Sequence, residues 1–247
     1  MMIFLAGATG AIGRRLGTLL VRAGYTVSGT TRSAEKAAAL RAGGVEPIVV
    51  DVFDAPALTA AMKQVRPDLV IHQLTDLPLG VDPARMAAYG TQRNARMRTE
   101  GTQRLIDAAL AAGVHRVIAQ SIAWVYAPGP EPHSESDPLD LATEGARGVT
   151  MNGVATLERL VLSSAPIAGT VLRYGHLYGP DTGSEVAGTP PVVHVDAAAS
   201  AALLAVDKGQ TGVYNIAEPS GYLSVDKARS ELGWNPAFRC QRDPLQV

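Results

Sequence analysis

Ile3-Phe4-Leu5-Ala6-Gly7-Ala8-Thr9-Gly10-Ala11-Ile12-Gly13 decides the fold. A short apolar strand runs straight into a glycine-punctuated turn, and the turn opens a helix that continues Arg14-Arg15-Leu16-Gly17-Thr18-Leu19-Leu20. Gly7 lets the chain turn sharply, Gly10 lets backbone N–H groups approach a pyrophosphate with no Cβ in the way, and Gly13 lets the helix pack close on the strand. The phosphates then rest on the helix N-terminus, where unpaired N–H groups and the helix dipole favour an anion. Three glycines at this spacing also arise by chance in a chain with 25 glycines. Their place directly after the first strand is what marks a dinucleotide site rather than an empty turn. Gly7, Thr9, Gly10, Ala11, Ile12 and Gly13 are therefore the first cofactor-binding candidates.

Working outward, β-branched runs alternate with Ala/Leu-rich helical stretches, the signature of βαβ crossovers and a parallel sheet. The pattern predicts strands near 3–6, 26–31, 46–50, 69–74, 115–121, 169–173 and 212–216. Helices are expected near 12–23, 34–42, 55–65, 84–112, 146–164, 195–207 and 224–232. Asp54-Ala55-Pro56 opens its helix with a cap and an early proline, and Ala112-Gly113 closes the longest one. Strands such as Ile48-Val49-Val50 and Leu69-Val70-Ile71 are apolar on successive positions, as expected when helices cover both faces. The fold class is α/β, a doubly wound parallel sheet. A dinucleotide-binding core over 1–175 is expected, followed by a small lobe over 176–247 interleaved with the last core elements.

Ligands in such sheets bind beyond the carboxyl ends of the strands. After the second strand come Thr31, Arg32 and Ser33, with Lys36 one helical turn on and no acidic residue to accept hydrogen bonds from both ribose hydroxyls. Arg32 offers a guanidinium fork suited to a 2′-phosphate, so NADP is the expected cofactor and NAD the alternative. Arg32 and Lys36 can also be read as a solvated helix face. Asp51 can accept from an adenine amino group while Val52 packs on the ring, or Asp51 can simply cap the helix entry. Leu74 and Thr75 follow the fourth strand, and Tyr174 and Gly175 follow the sixth; all four join the cofactor set.

The formal net charge of −1 and the lack of a long basic run disfavour nucleic acid and anionic membrane surfaces as partners. No apolar stretch approaches the ~20 residues of a bilayer span, and no signal peptide is visible. The single cysteine, Cys240, has no internal disulfide partner, and the five histidines are scattered along the chain, so no metal site is expected. A cytoplasmic location is the simplest expectation.

Gly7 to Gly13, Asp51-Val52, Gly101-Thr102 with Ala108-Ala109 and Gly113-Val114, and Leu172-Arg173-Tyr174-Gly175-His176-Leu177-Tyr178-Gly179-Pro180 resemble the extended short-chain dehydrogenase/reductase group, in particular the NAD-dependent epimerase/dehydratases. His194-Val195-Asp196-Ala197-Ala198 and Tyr214-Asn215-Ile216 fit the later part of that pattern. The resemblance covers most of the chain. It implies a Rossmann core, a nicotinamide cofactor and a small C-terminal lobe that holds the substrate.

The reaction end departs from the pattern. The group's Tyr-x-x-x-Lys, in which the ammonium lowers the phenol pKa so that the phenolate can take a proton, falls on Thr150 and Val154. None of the seven tyrosines has a lysine four residues later. The group's Ser or Thr before the Val-Tyr-Gly turn falls on Ile122, and its Asn before Gly-Thr on Arg98. Ser121, Tyr126 and His176 remain as catalytic candidates, with Tyr174 and Tyr178 nearby. His176 titrates in the useful range, or is a loop histidine bonded to backbone. Tyr126 and Tyr178 can equally be packing residues with satisfied hydroxyls. Arg173 binds either structure or a carboxylate.

The C-terminal lobe is lean, with eleven residues from Asp181 to Pro191 and a second compression around Pro219 to Leu223. Either the lobe is minimal or flexible segments near 183–188 and 220–222 are skipped. Two functional readings follow, beside a third in which the Rossmann shell is only structural and binds nothing well. The first is an epimerase/dehydratase-like oxidoreductase acting on a small polar metabolite, sugar-like among the options, with a non-standard acid/base. The alternative is a non-catalytic NADP-binding sensor or regulatory module. Apolar stripes on the helices at 84–112 and 146–164 fit a helix-mediated homodimer, and core packing explains them equally well.

Overall fold

The computed structural model describes residues 1–77 and 90–240. Strands β1 (Met2–Ala6), β2 (Thr26–Thr31), β3 (Glu46–Val49), β4 (Leu69–His72), β5 (Arg116–Ile122), β6 (Ala168–Tyr174) and β9 (Gly212–Ile216) form one seven-stranded sheet in the order β3-β2-β1-β4-β5-β6-β9. Every neighbouring pair is parallel. The strand order reverses between β1 and β4, and that crevice is where such sheets take ligands.

Alternate side chains of each strand feed two cores. Ile3, Leu5, Ile71 and Ile118 point to one face, against Leu16 and Leu20 of helix α1 (Ala11–Arg22) and the alanines of α7 (Val195–Lys208). Phe4, Ala6, Val70 and Val117 point to the other, against Leu58 and Met62 of α3 (Ala55–Val65), Leu105 and Ile106 of α5 (Thr102–Ala111), and Leu157 and Val161 of α6 (Gly145–Ser163). Helix α2 (Ala34–Ala42) flanks β2 and β3. Both faces are covered, which is why the strands read as unbroken apolar runs. The apolar stripes of α5 and α6 are themselves buried within the chain.

Most boundaries agree with the pattern to within a residue or two. β4 stops earlier than expected, because His72 Nδ1 accepts the Leu74 N–H at 3.2 Å and draws the chain out of the sheet. The long helix expected over 84–112 is not uniform. Its first part, 84–89, lies outside the described residues, and the rest is α4 (Thr91–Arg96), a π-helical segment Met97–Gly101, and α5. The last expected helix also ends in a π-helical turn, Ala228–Leu232. Sequence periodicity gave no sign of the two-stranded parallel sheet of β7 (His176–Tyr178) and β8 (Val192–His194), which sets the C-terminal lobe beside the cleft.

The backbone runs through 183–188 and 220–222, and the lean segment folds on itself. Gly179 N donates to Ser184 O at 2.7 Å, and Thr182 Oγ1 donates to Gly179 O at 2.7 Å. Among the described residues no helix is long and apolar enough to cross a membrane.

Candidate active site

A cleft of about 630 Å³ opens at the carboxyl ends of β1, β2, β4 and β5. Its floor is the glycine turn. Gly7 sits at φ +89°, and a Cβ there would stand 2.7 Å from Gln73 O, so both conformation and space demand glycine. A Cβ at Gly13 would stand 2.1 Å from Gly7 O, so that glycine serves the fold. Gly10 differs: a Cβ there would meet only Gly7 O, at 3.4 Å, an ordinary contact. The fold does not need glycine at position 10, whereas a pyrophosphate lying on the turn would. Gly10 is also the N-cap of α1 with no side-chain cap, and the first turn carries no acidic residue. Its N–H groups are left for an anion.

Thr9, Ala11 and Ile12 line the same floor, and Thr31, Arg32 and Lys36 line the wall beyond β2. Ser33 stands just outside that wall, accepting Lys36 N–H at 3.3 Å as the cap of α2, while Thr31 Oγ1 accepts Ser33 N–H at 3.1 Å. Arg32 is 57% exposed and lies 3.8 Å from Asp76, whose carboxylate is held by Arg93 at 2.7 and 3.0 Å. Asp76 thus belongs mainly to Arg93, and Arg32 keeps donors to spare. Val52, with Leu58, gives an apolar wall suited to an adenine. Asp51 accepts Phe53 N–H at 2.9 Å in a local turn, and the cap of the following helix is Asp54, which accepts Ala57 N–H at 3.1 Å.

Leu74 and Thr75 line the inner end of the cleft. Tyr174 and Gly175 do not. Tyr174 is sealed in the core with its hydroxyl 3.5 Å from Gln73 Nε2, and burial pushes that phenol well above its ordinary range. Gly175 is a packing glycine: a Cβ there would stand 2.7 Å from the Val192 carbonyl carbon, where β6 passes β8. Gln73, Gln120, Leu177 and Thr182 to Ser184 are among the further lining residues that were missed in the sequence. The two glutamines had a visible signal, being polar residues at the carboxyl ends of strands four and five. Gln73 is 5% exposed and its Oε1 has no partner among the described residues. Whichever way that amide is turned, one end lacks a hydrogen bond among the described residues. The glycine cradle, the bare helix start and this orphaned amide all fit a nicotinamide dinucleotide.

At the reaction end the structure draws two of the three catalytic candidates, Ser121 and Tyr126, into one network and leaves His176 outside it. Ser121 Oγ donates to Glu158 Oε1 at 2.7 Å, and Glu158 is held by Arg173 through Nε at 2.9 Å and Nη2 at 2.7 Å. Arg173 also donates to Tyr126 Oη at 2.9 Å, and Tyr126 donates to Asn215 Oδ1 at 2.6 Å. Ser121, Glu158, Arg173, Tyr126 and Asn215 are all buried, so they form a closed structural network. Burial also raises the Tyr126 pKa. His176 is exposed and stacks on Trp124 at 3.7 Å and 15° between planes, and burial of its inner face lowers its pKa. The positions that would handle protons in the resembling group are apolar or engaged: Ile122 and Val154 are buried, and Thr150 Oγ1 donates to Ala146 O at 3.0 Å.

The comparisons with known proteins agree with this geometry. A family model described as the NAD dependent epimerase/dehydratase family matches residues 3–191. A 3-diazoavenalumate denitrifying reductase of a Streptomyces species is 41% identical over 239 residues, spanning 88% of this chain and 76% of that protein. Among solved structures, UDP-glucose 4-epimerase of Thermotoga maritima superposes with a TM-score of 0.75 at 20% identity, covering 97% of this chain and 94% of the other. UDP-glucuronic acid 4-epimerase of Bacillus cereus, solved with UDP-glucuronic acid and NAD, gives 0.76 at 18% identity, covering 97% and 95%. At that identity the two epimerases show a shared fold. With its glycine cradle and seven-stranded sheet, the chain belongs to the NAD-dependent epimerase/dehydratase family.

Proposed function

We propose that this protein is an NADP-linked reductase that passes hydride to a small electrophile whose reduction needs no proton from the protein. The observation that carries the reading is the contrast between the two ends of one cleft. The cofactor end is complete, while Ile122, Thr150 and Val154 stand where an acid/base set would stand. When bound and reduced, the nicotinamide supplies hydride.

The chain's residues do the rest. The α1 N-terminus holds the pyrophosphate, Arg32 and Lys36 favour a 2′-phosphate, Val52 and Leu58 pack on the base, and Gln73 and Gln120 offer amide groups at the inner end. Carbonyl reduction creates an alkoxide that must be protonated, and these residues offer no acid for it. A cationic electrophile such as a diazonium group is different. Hydride and its electron pair form an N–H bond at the terminal nitrogen and neutralise the charge, giving a diazene; as dinitrogen leaves, the C–N and N–H bonds both break and the hydrogen released from nitrogen ends on the carbon. The name of the Streptomyces relative, a denitrifying reductase of a diazo compound, supports this class.

The test follows NADPH absorbance with 3-diazoavenalumate and, separately, with UDP-glucose. NADPH oxidation with dinitrogen release in the first and no conversion in the second is expected; epimerisation of UDP-glucose without NADPH oxidation by the diazo compound would overturn the reading. Tight NADP binding with no oxidation by either compound would favour the regulatory alternative.

A further inference from the structure

Arg98 is the charged side chain that the reaction end leaves unexplained. It is 9% exposed, and among the described residues it donates no hydrogen bond and joins no ion pair. It lies in the π-helical segment Met97–Gly101, a distortion that often marks functional sites. Its stem runs inward against α6: a Cβ on Gly153 would stand 3.6 Å from Arg98 Cδ, an ordinary contact distance. Gly153 is the neighbour of Val154, the place where the resembling group carries its lysine. Glu158, one turn further along α6, draws on Arg98 electrostatically but is already taken by Ser121 and the fork of Arg173. Burial has pushed the Arg98 pKa down to about 10, so the group stays cationic at neutral pH, and among the described residues no carboxylate is in ion-pair contact with it. None of its nitrogens is among the sealed, partnerless atoms, so the guanidinium keeps a small accessible surface.

A buried cation without a partner is unfavourable in a folded chain unless a ligand completes it. We propose that Arg98 is a substrate-binding residue that replaces the missing lysine as the fixed positive charge of the site, and that it pairs with the carboxylate of a small organic acid. This rests on the reading of the cleft as a cofactor site, which puts the substrate at this end of it. A single guanidinium matches a singly charged, planar carboxylate, to which it can donate two parallel hydrogen bonds. The stacked pair Trp124 and His176, two residues past Ile122 and directly before the cleft residue Leu177, adds a flat surface at the same strand ends. A planar acid suits both features.

The test uses thermal melts of the full chain saturated with NADP, wild type against Arg98→Met, with cinnamate, neutral cinnamamide and inorganic phosphate as probes. Millimolar cinnamate is expected to raise the wild-type Tm while cinnamamide and phosphate do not, and Arg98→Met is expected to lose the response. Without probe, Arg98→Met should melt no lower than wild type, because an apolar side chain replaces an unpaired charge. A variant melting several degrees lower would make Arg98 structural and overturn the proposal. So would a cinnamate response equal in both proteins, absent from both, or matched by the amide or by phosphate. The NADP-dependent shift, read first in the same melts, tests the cofactor reading separately, since its failure would leave the cinnamate response to decide Arg98.

Discussion

At the scale of single residues, the glycine turn separates what the fold needs from what a ligand needs. Gly13→Ala forces a Cβ to 2.1 Å from a backbone oxygen, an overpacking expected to cost about 1–3 kcal/mol or more of stability. Gly10→Ala meets only a 3.4 Å contact, so its melting temperature should match wild type while its affinity for NADP falls at least about tenfold, a loss of roughly 1.4 kcal/mol. Calorimetric titration and thermal melts on both variants check the pair of outcomes. Arg32→Ala should remove a charge-assisted contact of roughly 1.5–3 kcal/mol, raising the Kd for NADPH about ten- to a hundredfold and leaving that for NADH unchanged. Equal effects on the two cofactors would return Arg32 to the solvated face. The sequence marked the glycine turn because that spacing directly after a strand has few other uses, whereas Arg32 kept the alternative of a solvated face. It did not carry the fate of Ser121 and Tyr126. Both stand at the predicted strand end, yet their hydroxyls are committed to Glu158 and Asn215, partners 37 and 89 residues away that only the folded chain brings near.

At the scale of elements, long periodic segments were legible and local irregularities were not. α3, β2 and β9 follow their sequence patterns residue for residue, because capping, alternation and burial point the same way. The π-helical segment leaves no compositional trace, since one extra residue in the hydrogen-bond ladder changes spacing and not residue type. The three-residue strands β7 and β8 are too short for a period to register. β4 carries a further consequence at its end. His72 is fully buried, its Nδ1 accepts Leu74 N–H and its Nε2 faces Thr102 Oγ1 at 3.0 Å, so the ring is neutral and donates to the threonine. Burial lowers its pKa to about 4 from 6.5. The unfolded chain therefore binds the proton first, and stability present above pH 6.5 is lost as pH falls towards 4, by about 3 kcal/mol. Denaturant melts across that window should show a shallower pH dependence in His72→Gln than in wild type; identical slopes would remove His72 as the cause.

At the scale of the whole molecule, one sheet with helices on both faces sets the cleft proposed for the dinucleotide beside a reaction end where Thr150 and Val154 stand at the places of the family's tyrosine and lysine. The doubly wound parallel sheet and the place of the cleft were readable from the alternation of apolar runs and the turn after β1; the strand order was not. The chemistry was less so, because it depends on which polar groups remain unpaired once the chain has folded, and the orphaned Gln73 amide and the Arg98 guanidinium are visible only there. The central claim, hydride transfer with no proton supplied by the protein, is tested most directly by isotope effects on single-turnover oxidation of NADPH by 3-diazoavenalumate. Deuterium at the transferring carbon of the nicotinamide should slow the reaction, and heavy water should leave it unchanged. A rate that falls in heavy water and ignores the deuterated cofactor would show a proton in flight at the rate-limiting step and would contradict the account.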